Sequence, residues 1–332
     1  MTDLFGRTID YLRVSITDRC NLRCIYCMPP GGADWTPHKN ILSFEEILRI
    51  CGIMAGMGIR RVKVTGGEPL VRRGAVDFIA SLKKIKGIQT VTLTTNGTLL
   101  EDELDRLADA ELDGINISLD ALNEKTFHRI TRRDGLDKTL RAITDASAAG
   151  LRVKVNCVPL QGINEDELAG LAGLAKTNAV AVRFIELMPL GNAESFAPVP
   201  GKKIMELLEK EYGELIPCPG KFGNGPARYY SIRGFRGKIG FINAMTDGFC
   251  ETCNRMRLTS RGLLKPCLSS EISLDLCGLL RGGPENIPGC SDREVEDAVR
   301  DLIAKKPRAH TFSAPYHQKK TAPADGMFRT GG

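Results

Sequence analysis

Three cysteines, Cys20, Cys24 and Cys27, are separated by three and then two residues in the stretch RVSITDRCNLRCIYCM. Thiolates that close can converge on one inorganic centre only if the chain wraps around it as a loop. Three of them leave one iron of a four-iron cubane without a protein ligand, and an open iron is a place to bind and activate a small molecule. Structural zinc is the competing reading, but it wants four protein ligands, and no His or fourth Cys lies nearby. A second set, Cys250, Cys253 and Cys267, follows a C-x2-C-x13-C pattern. Its spacing alone leaves zinc and iron equally open, because Cys277 could complete a four-cysteine site. Asn254-Arg255-Met256-Arg257 places two guanidinium groups beside these thiolates, where planar forks can grip a phosphate or a carbonyl-bearing base, or can simply neutralise the thiolates.

Such groups need a scaffold. Strand-like runs at 11–16, 60–65, 89–94, 113–119, 152–157 and 180–186 alternate with helical patterns at 43–57, 72–84, 101–110, 136–149 and 165–176. Ser43 ahead of Glu45 and Glu46 forms a capping box at the first helix. Six strand-then-helix units predict an α/β fold, a partial (β/α)6 barrel of parallel strands with right-handed crossovers. Parallel strands of this kind are normally apolar on both faces. Here one parity is polar: Arg13, Ser15 and Thr17; Lys63 and Thr65; Thr90, Thr92 and Thr94; Asn116, Ser118 and Asp120; Arg152, Lys154 and Asn156. If the apolar parity packs on the helices, the polar one lines a wet, partly cationic lumen. An antiparallel sheet with one solvated face would also alternate, but the intervening helices argue against it. Gly66-Gly67-Glu68-Pro69 directly follows the second strand, where glycines permit close backbone approach and Glu68 can accept from an ammonium.

The pattern changes near residue 190. The expected organisation is a barrel over 1–190, a smaller α+β extension over 191–304 that carries the second cysteine set, and a basic tail over 305–332 ending in Gly331-Gly332. The chain has 42% hydrophobic residues, a net charge of +6 and a pI of about 8.7, enough for a sizeable core and mildly suited to an anionic ligand. No apolar run approaches the roughly 20 residues that span a bilayer, and the N-terminus does not read as a signal peptide, so a cytoplasmic protein without a membrane partner is expected. Eleven cysteines without an export signal argue for metal chemistry over disulfides.

The C-x3-C-x2-C loop, with Tyr26 before its last cysteine, together with GGEP resembles the radical S-adenosylmethionine (SAM) superfamily. Adding C-x2-C-x13-C around NRxR and a terminal Gly-Gly, the whole chain resembles the GTP 3',8-cyclase (MoaA) family of molybdenum cofactor biosynthesis. The resemblance implies two 4Fe-4S clusters, on Cys20, Cys24 and Cys27 and on Cys250, Cys253 and Cys267, with SAM chelated by the first. It implies a deoxyadenosyl radical that takes hydrogen from the ribose 3' carbon of GTP, after which that carbon attacks C8. SAM contacts would fall on Tyr26, Gly67, Ser118 and Met188. GTP contacts would fall on Arg13, Lys63, Thr94, Lys154, Arg255, Met256 and Arg257, with both arginines acting in catalysis. Lys63 departs from the family, where Arg is common, and an ammonium cannot form a bidentate fork. The Gly-Gly end would reach into the active site. An electron donor such as flavodoxin or ferredoxin and hand-off to a pyranopterin monophosphate synthase are also implied. The partner set leaves out nucleic acid and allows a homodimer. The alternatives are a radical SAM peptide-modifying enzyme with an auxiliary cluster, and a zinc-stabilised nucleic-acid module, which would leave GGEP idle.

Overall fold

In a computed structural model of the chain, residues 1–220, 222–282, 289–312 and 327–330 are described; Gly331 and Gly332 lie outside them. The six expected strands are β1 (Tyr11–Ser15), β2 (Arg61–Thr65), β3 (Thr90–Thr95), β4 (Gly114–Ser118), β5 (Val153–Cys157) and β6 (Ala181–Ile185). Between them lie α1 (Phe44–Gly56), α2 (Ala75–Lys83), α3 (Leu104–Asp109), α4 (Glu124–Thr131), α5 (Leu136–Ala148) and α6 (Leu168–Thr177). Helix α4 was not legible in the sequence: its apolar face amounts to Phe127 and Ile130, too short a run to set a period. The capping box of α1 is present, with Ser43 Oγ accepting from Glu46 N at 3.2 Å and Glu46 returning the bond at 2.7 Å.

The sheet does not stop at residue 190. After α7 (Gly201–Tyr212) come β7 (Ile216–Pro217), β8 (Arg228–Ser231), β9 (Lys238–Ile242), β10 (Arg255–Leu258), β11 (Leu263–Lys265) and β12 (Leu274–Asp275), then α8 (Leu276–Arg281), α9 (Asp292–Ala304) and a short α10 (Met327–Thr330). One twelve-stranded sheet runs β12-β11-β10-β1-β2-β3-β4-β5-β6-β9-β8-β7. Strand β10 joins β1 and strand β9 joins β6, both in parallel. The extension therefore flanks the six-strand barrel with a further parallel strand on each side, and hairpins finish the edges.

The apolar parity faces the helices, as expected. Leu12, Val14, Val62, Val64, Leu93, Ile115, Ile117, Val155, Val182 and Phe184 are all buried with Ile47, Ile50, Met54, Phe78, Ile79 and Leu82 from α1 and α2. Met256 belongs to this face too. Its side chain is fully buried in the core, so a substrate contact at Met256 would have to come from its main chain. Alternation along β10 sends Arg255 and Arg257 the other way. Among the described residues no helix is long and apolar enough to cross a membrane.

Candidate active site: a cationic chamber between two cysteine triads

The polar parity encloses a chamber of about 730 Å³. All parallel strands point the same way, so their C-terminal ends share one rim. The Cys20–Cys27 loop follows β1, Gly66 and Gly67 follow β2, Asn96 follows β3, Asp120 follows β4 and Met188 follows β6; of these, all line the chamber, as do Tyr26 and Ser118. Cys250 and Cys253 instead precede β10, and Cys267 follows its antiparallel neighbour β11, which puts this triad at the opposite rim. Both triads line the same cavity. Cys277 does not; it packs against Gly262 behind β11, so it does not complete a four-cysteine site.

The first loop is held by main chain. Gly67 N donates to Thr17 O and Glu68 N to Arg19 O, each at 2.8 Å. A Cβ on Gly66 would sit 2.7 Å from Thr17 O, and one on Gly67 would collide with the Arg19 carbonyl. The glycines thus serve the approach of one loop to another before any ligand arrives. Glu68 is fully buried and accepts from Leu70 N (3.0 Å), Thr95 Oγ1 (2.8 Å) and Asn96 N (2.6 Å); it braces three loops and does not line the chamber. Burial pushes its carboxyl up to about 7. Gly67→Ala is expected to cost about 1–3 kcal/mol through this collision and to lower iron uptake at the first triad, while leaving the second triad's uptake unchanged. Separate spectra of the two centres check it.

Thiol environments fit the chemistry of cluster ligands. Cys20 Sγ accepts from Leu22 N at 3.4 Å, Cys250 Sγ from His310 N at 3.4 Å and Cys253 Sγ from Arg255 at 3.7 Å, and Cys267 Sγ lies 3.4 Å from Ser269 Oγ. Burial, with neighbouring acidic groups, pushes the Cys20 thiol up to about 11 and Cys27 up to about 12, and raises Cys24 strongly. Iron binding there must displace protons. At Cys253 burial pushes up, but Arg255 and Lys306 outweigh it and bring the thiol down to about 7.

Cations dominate the waist. Arg257, Arg13, Lys63 and Thr92 stand side by side in register across β10, β1, β2 and β3. Thr94, Asn116 and Lys154 form a second row over β3, β4 and β5. Burial, then repulsion from Arg255 and Arg183, lowers Arg13 to about 10. Burial with Arg13, Arg183 and Lys154 nearby lowers Lys63 strongly, and burial with Arg13 and Arg255 does the same to Arg257. Among the described residues, the carboxylates lining the chamber are Asp113, Asp120 and Glu186. Each is engaged: Asp113 with Lys83 (2.7 Å), Asp120 with the Tyr26 hydroxyl (2.6 Å), and Glu186 with Met245 N (2.7 Å). A ligand carrying several negative charges would relieve this repulsion.

Several chamber residues escaped the sequence. Arg183 donates to Asn156 Oδ1 at 2.9 Å and lies on the polar parity of β6, so the parity rule could have found it. Asn96, Phe249, Lys306 and His310 come from loops, where no period operates. Phe249 stacks under Arg255 at 4.6 Å, and Lys306 donates to Arg255 O at 2.8 Å. In α10, Phe328 main chain meets Cys27, and Met327 and Phe328 line the chamber.

A parallel α/β sheet with a three-cysteine loop after its first strand defines a member of the radical SAM superfamily, and that superfamily's profile matches residues 14–175. A second profile, Molybdenum Cofactor Synthesis C, matches residues 180–312. The GTP 3',8-cyclase of Clostridium perfringens (strain SM101) is 44% identical over 312 residues, covering 94% of this chain and 95% of that one. That of Heliobacterium modesticaldum is 46% identical over 314 residues, covering 93% and 94%. The chain belongs to the GTP 3',8-cyclase family. Among solved structures, Streptococcus suis SuiB bound to S-adenosylmethionine superposes with a TM-score of 0.64 at 14% identity, covering 90% of this chain and 67% of that one, a likeness of fold.

Proposed function

We infer that this chain is a lyase that cyclises GTP, joining the ribose 3' carbon to C8 of guanine in the first step of molybdenum cofactor biosynthesis. The observation that carries the reading is a chamber walled by buried cations and bracketed by two three-cysteine sets, in a chain 44% identical to a GTP 3',8-cyclase. Cys20, Cys24 and Cys27 would hold one 4Fe-4S cluster and Cys250, Cys253 and Cys267 the other, with three thiolates for each. When loaded, the first cluster with SAM supplies a carbon-centred radical able to remove a hydrogen atom.

Every other demand falls on the chain. Tyr26, Gly67, Ser118 and Met188 orient SAM at the C-terminal rim, with Asp120 fixing the Tyr26 ring through its hydroxyl. Arg13, Lys63, Thr94 and Lys154, joined by Arg183, hold the triphosphate. Arg255 and Arg257 hold the substrate at the second cluster; Phe249 and Lys306 position Arg255 from its face and its main chain. Enclosure between the two rims keeps water from the reacting carbon. The peptide-modifying alternative has a likeness of fold alone behind it: SuiB bound to the precursor peptide SuiA superposes with a TM-score of 0.61 at 14% identity. A one-electron carrier such as flavodoxin or ferredoxin feeds the first cluster, and the product passes to a pyranopterin monophosphate synthase, all in the cytoplasm.

Anaerobic incubation of the reconstituted protein with SAM, dithionite and GTP tests the reading: cyclised nucleotide is expected from GTP and not from ATP. Equal handling of the two would overturn base recognition.

Lys154 gives a pH dependence. Burial, with Arg183 and Arg152 beside it, lowers its ammonium to about 8, and it donates to Phe222 O at 2.7 Å. Below pH 8 it is charged and binds the triphosphate; above, binding must first take up a proton. KM for GTP should therefore rise as pH passes 8. Lys154→Arg should flatten that rise, and Lys154→Ala should weaken GTP at pH 7 by about tenfold, the worth of one charge-assisted hydrogen bond.

A further inference from the structure

A second cavity, of about 340 Å³, opens on the outer side of the first cysteine loop. Its floor includes Asn21 and Leu22, the two residues after Cys20, and Leu22 lines both this cleft and the inner chamber. Leu22, two residues after Cys20, thus stands between the cleft and the chamber. The floor is wired to that thiol by hydrogen bonds. Leu22 N donates to Cys20 Sγ at 3.4 Å; Asn21 donates to Thr98 Oγ1 and accepts from Asn96 Nδ2, both at 2.8 Å; Asn96 Nδ2 also stands 4.0 Å from Cys20 Sγ.

The rim carries Arg133 and Lys138, both exposed. They end a segment, residues 125–138, with five Lys or Arg against two Asp. Of the two, Asp134 lies on the rim 2.9 Å from His128 and is exposed, so the two rim cations exceed the rim carboxylate by one charge. This turn is fastened to the cysteine loop: Arg23 N donates to Thr131 O (2.8 Å), Ile25 N to Ile130 O (2.9 Å), and Arg132 donates to both Arg23 O and Met28 O at 3.0 Å. The turn that precedes Arg133 is thus hydrogen-bonded directly to the cysteine loop. The cleft has no place in holding SAM or GTP, both assigned to the inner chamber.

We propose that this cleft is the docking site of a small acidic protein bearing a one-electron centre, and that the electron enters through the Asn21–Leu22 floor. The inference rests on the proposed function, which requires the first cluster to gain one electron; the carrier loses one, and no bond is made or broken. With SAM and GTP filling the chamber, the inner route to the cluster is closed to a protein, so the outer wall at Leu22 is the remaining path. Opposite charge would steer the encounter and set the orientation.

Flavodoxin, an acidic FMN carrier, is the probe. The affinity of its oxidised form for the full-length reconstituted protein is measured by calorimetric titration at low and high salt, and the rate of first-cluster reduction is measured separately with the reduced form. In Arg133→Glu/Lys138→Glu the dissociation constant should rise by about tenfold or more at low salt, with a flattened salt dependence. Cluster reduction by the carrier should slow in step, while dithionite-driven SAM cleavage stays at the wild-type rate. Lys202→Glu/Lys210→Glu, which makes the same charge change on α7, should bind as wild type. Unchanged affinity in the cleft variant, an equal loss in the α7 variant, or a parallel loss with dithionite overturns the docking site. Absence of dithionite-driven cleavage in the wild type overturns the underlying function, and this inference with it.

Discussion

Cys24→Ala is expected to abolish SAM cleavage outright, leaving neither methionine nor 5'-deoxyadenosine above background in an anaerobic assay with dithionite. Cys24 is the middle ligand of its triad, it lines the chamber, and its main-chain carbonyl accepts from Cys27 N and Met28 N at 2.9 Å, so the loop turns around it. Removing its sulfur leaves two thiolates for a centre that needs three. The fold should survive, because the loop's attachment to Gly67, Glu68, Thr131 and Ile130 is through main chain. Native-like circular dichroism with no turnover would separate lost chemistry from lost structure. Retained cleavage would remove Cys24 from the cluster.

The second large effect is a separation of steps. Cys253→Ala should keep SAM cleavage at a rate comparable to the wild type while cyclised product falls by at least about a hundredfold, the scale expected when a substrate is misplaced by a fraction of its length. The topology gives the reason: Cys253 precedes β10 at the rim opposite the Cys20 loop, so its loss leaves the SAM end intact. Arg255 donates to Cys253 Sγ and is braced by Lys306, whose own ammonium also donates to Pro266 O beside Cys267. Losing the thiolate therefore also loosens the guanidinium assigned to the substrate. Quantifying 5'-deoxyadenosine and cyclised nucleotide in the same reaction checks it; a parallel fall in both would show that the second triad supports the first one's chemistry.

Much of this arrangement was legible because two periods were superimposed. Alternation within each strand assigned Arg13, Lys63, Thr94 and Lys154 to the lumen, and all four line it. The same rule applied to β10 puts the Met256 side chain on the helix side, where it is buried, and leaves only its main chain for a substrate contact. The parallel pairing of β9 with β6 and of β10 with β1 was not legible, since strand partners far apart in sequence leave no local signature, and the pairing of β10 is what carries the second triad to the far rim. Lys306 and His310 illustrate the same limit from loops: their place in the chamber depends on where α9 ends, not on any spacing near the cysteines. The glycines of the GGE segment do line the chamber and are required as well by the carbonyls of Thr17 and Arg19, whereas Glu68 does not line it.

On the proposed function, each cysteine triad would hold a cluster that binds a different small molecule, SAM at the Cys20 end of the chamber and GTP at the Cys253 end. The most direct test is the electron paramagnetic resonance spectrum of the second cluster in a Cys20→Ala/Cys24→Ala/Cys27→Ala variant, where only that centre can form. Addition of GTP should change the signal, and ATP should not reproduce the change. A spectrum indifferent to GTP, or a second site that takes up zinc and no iron, would contradict it.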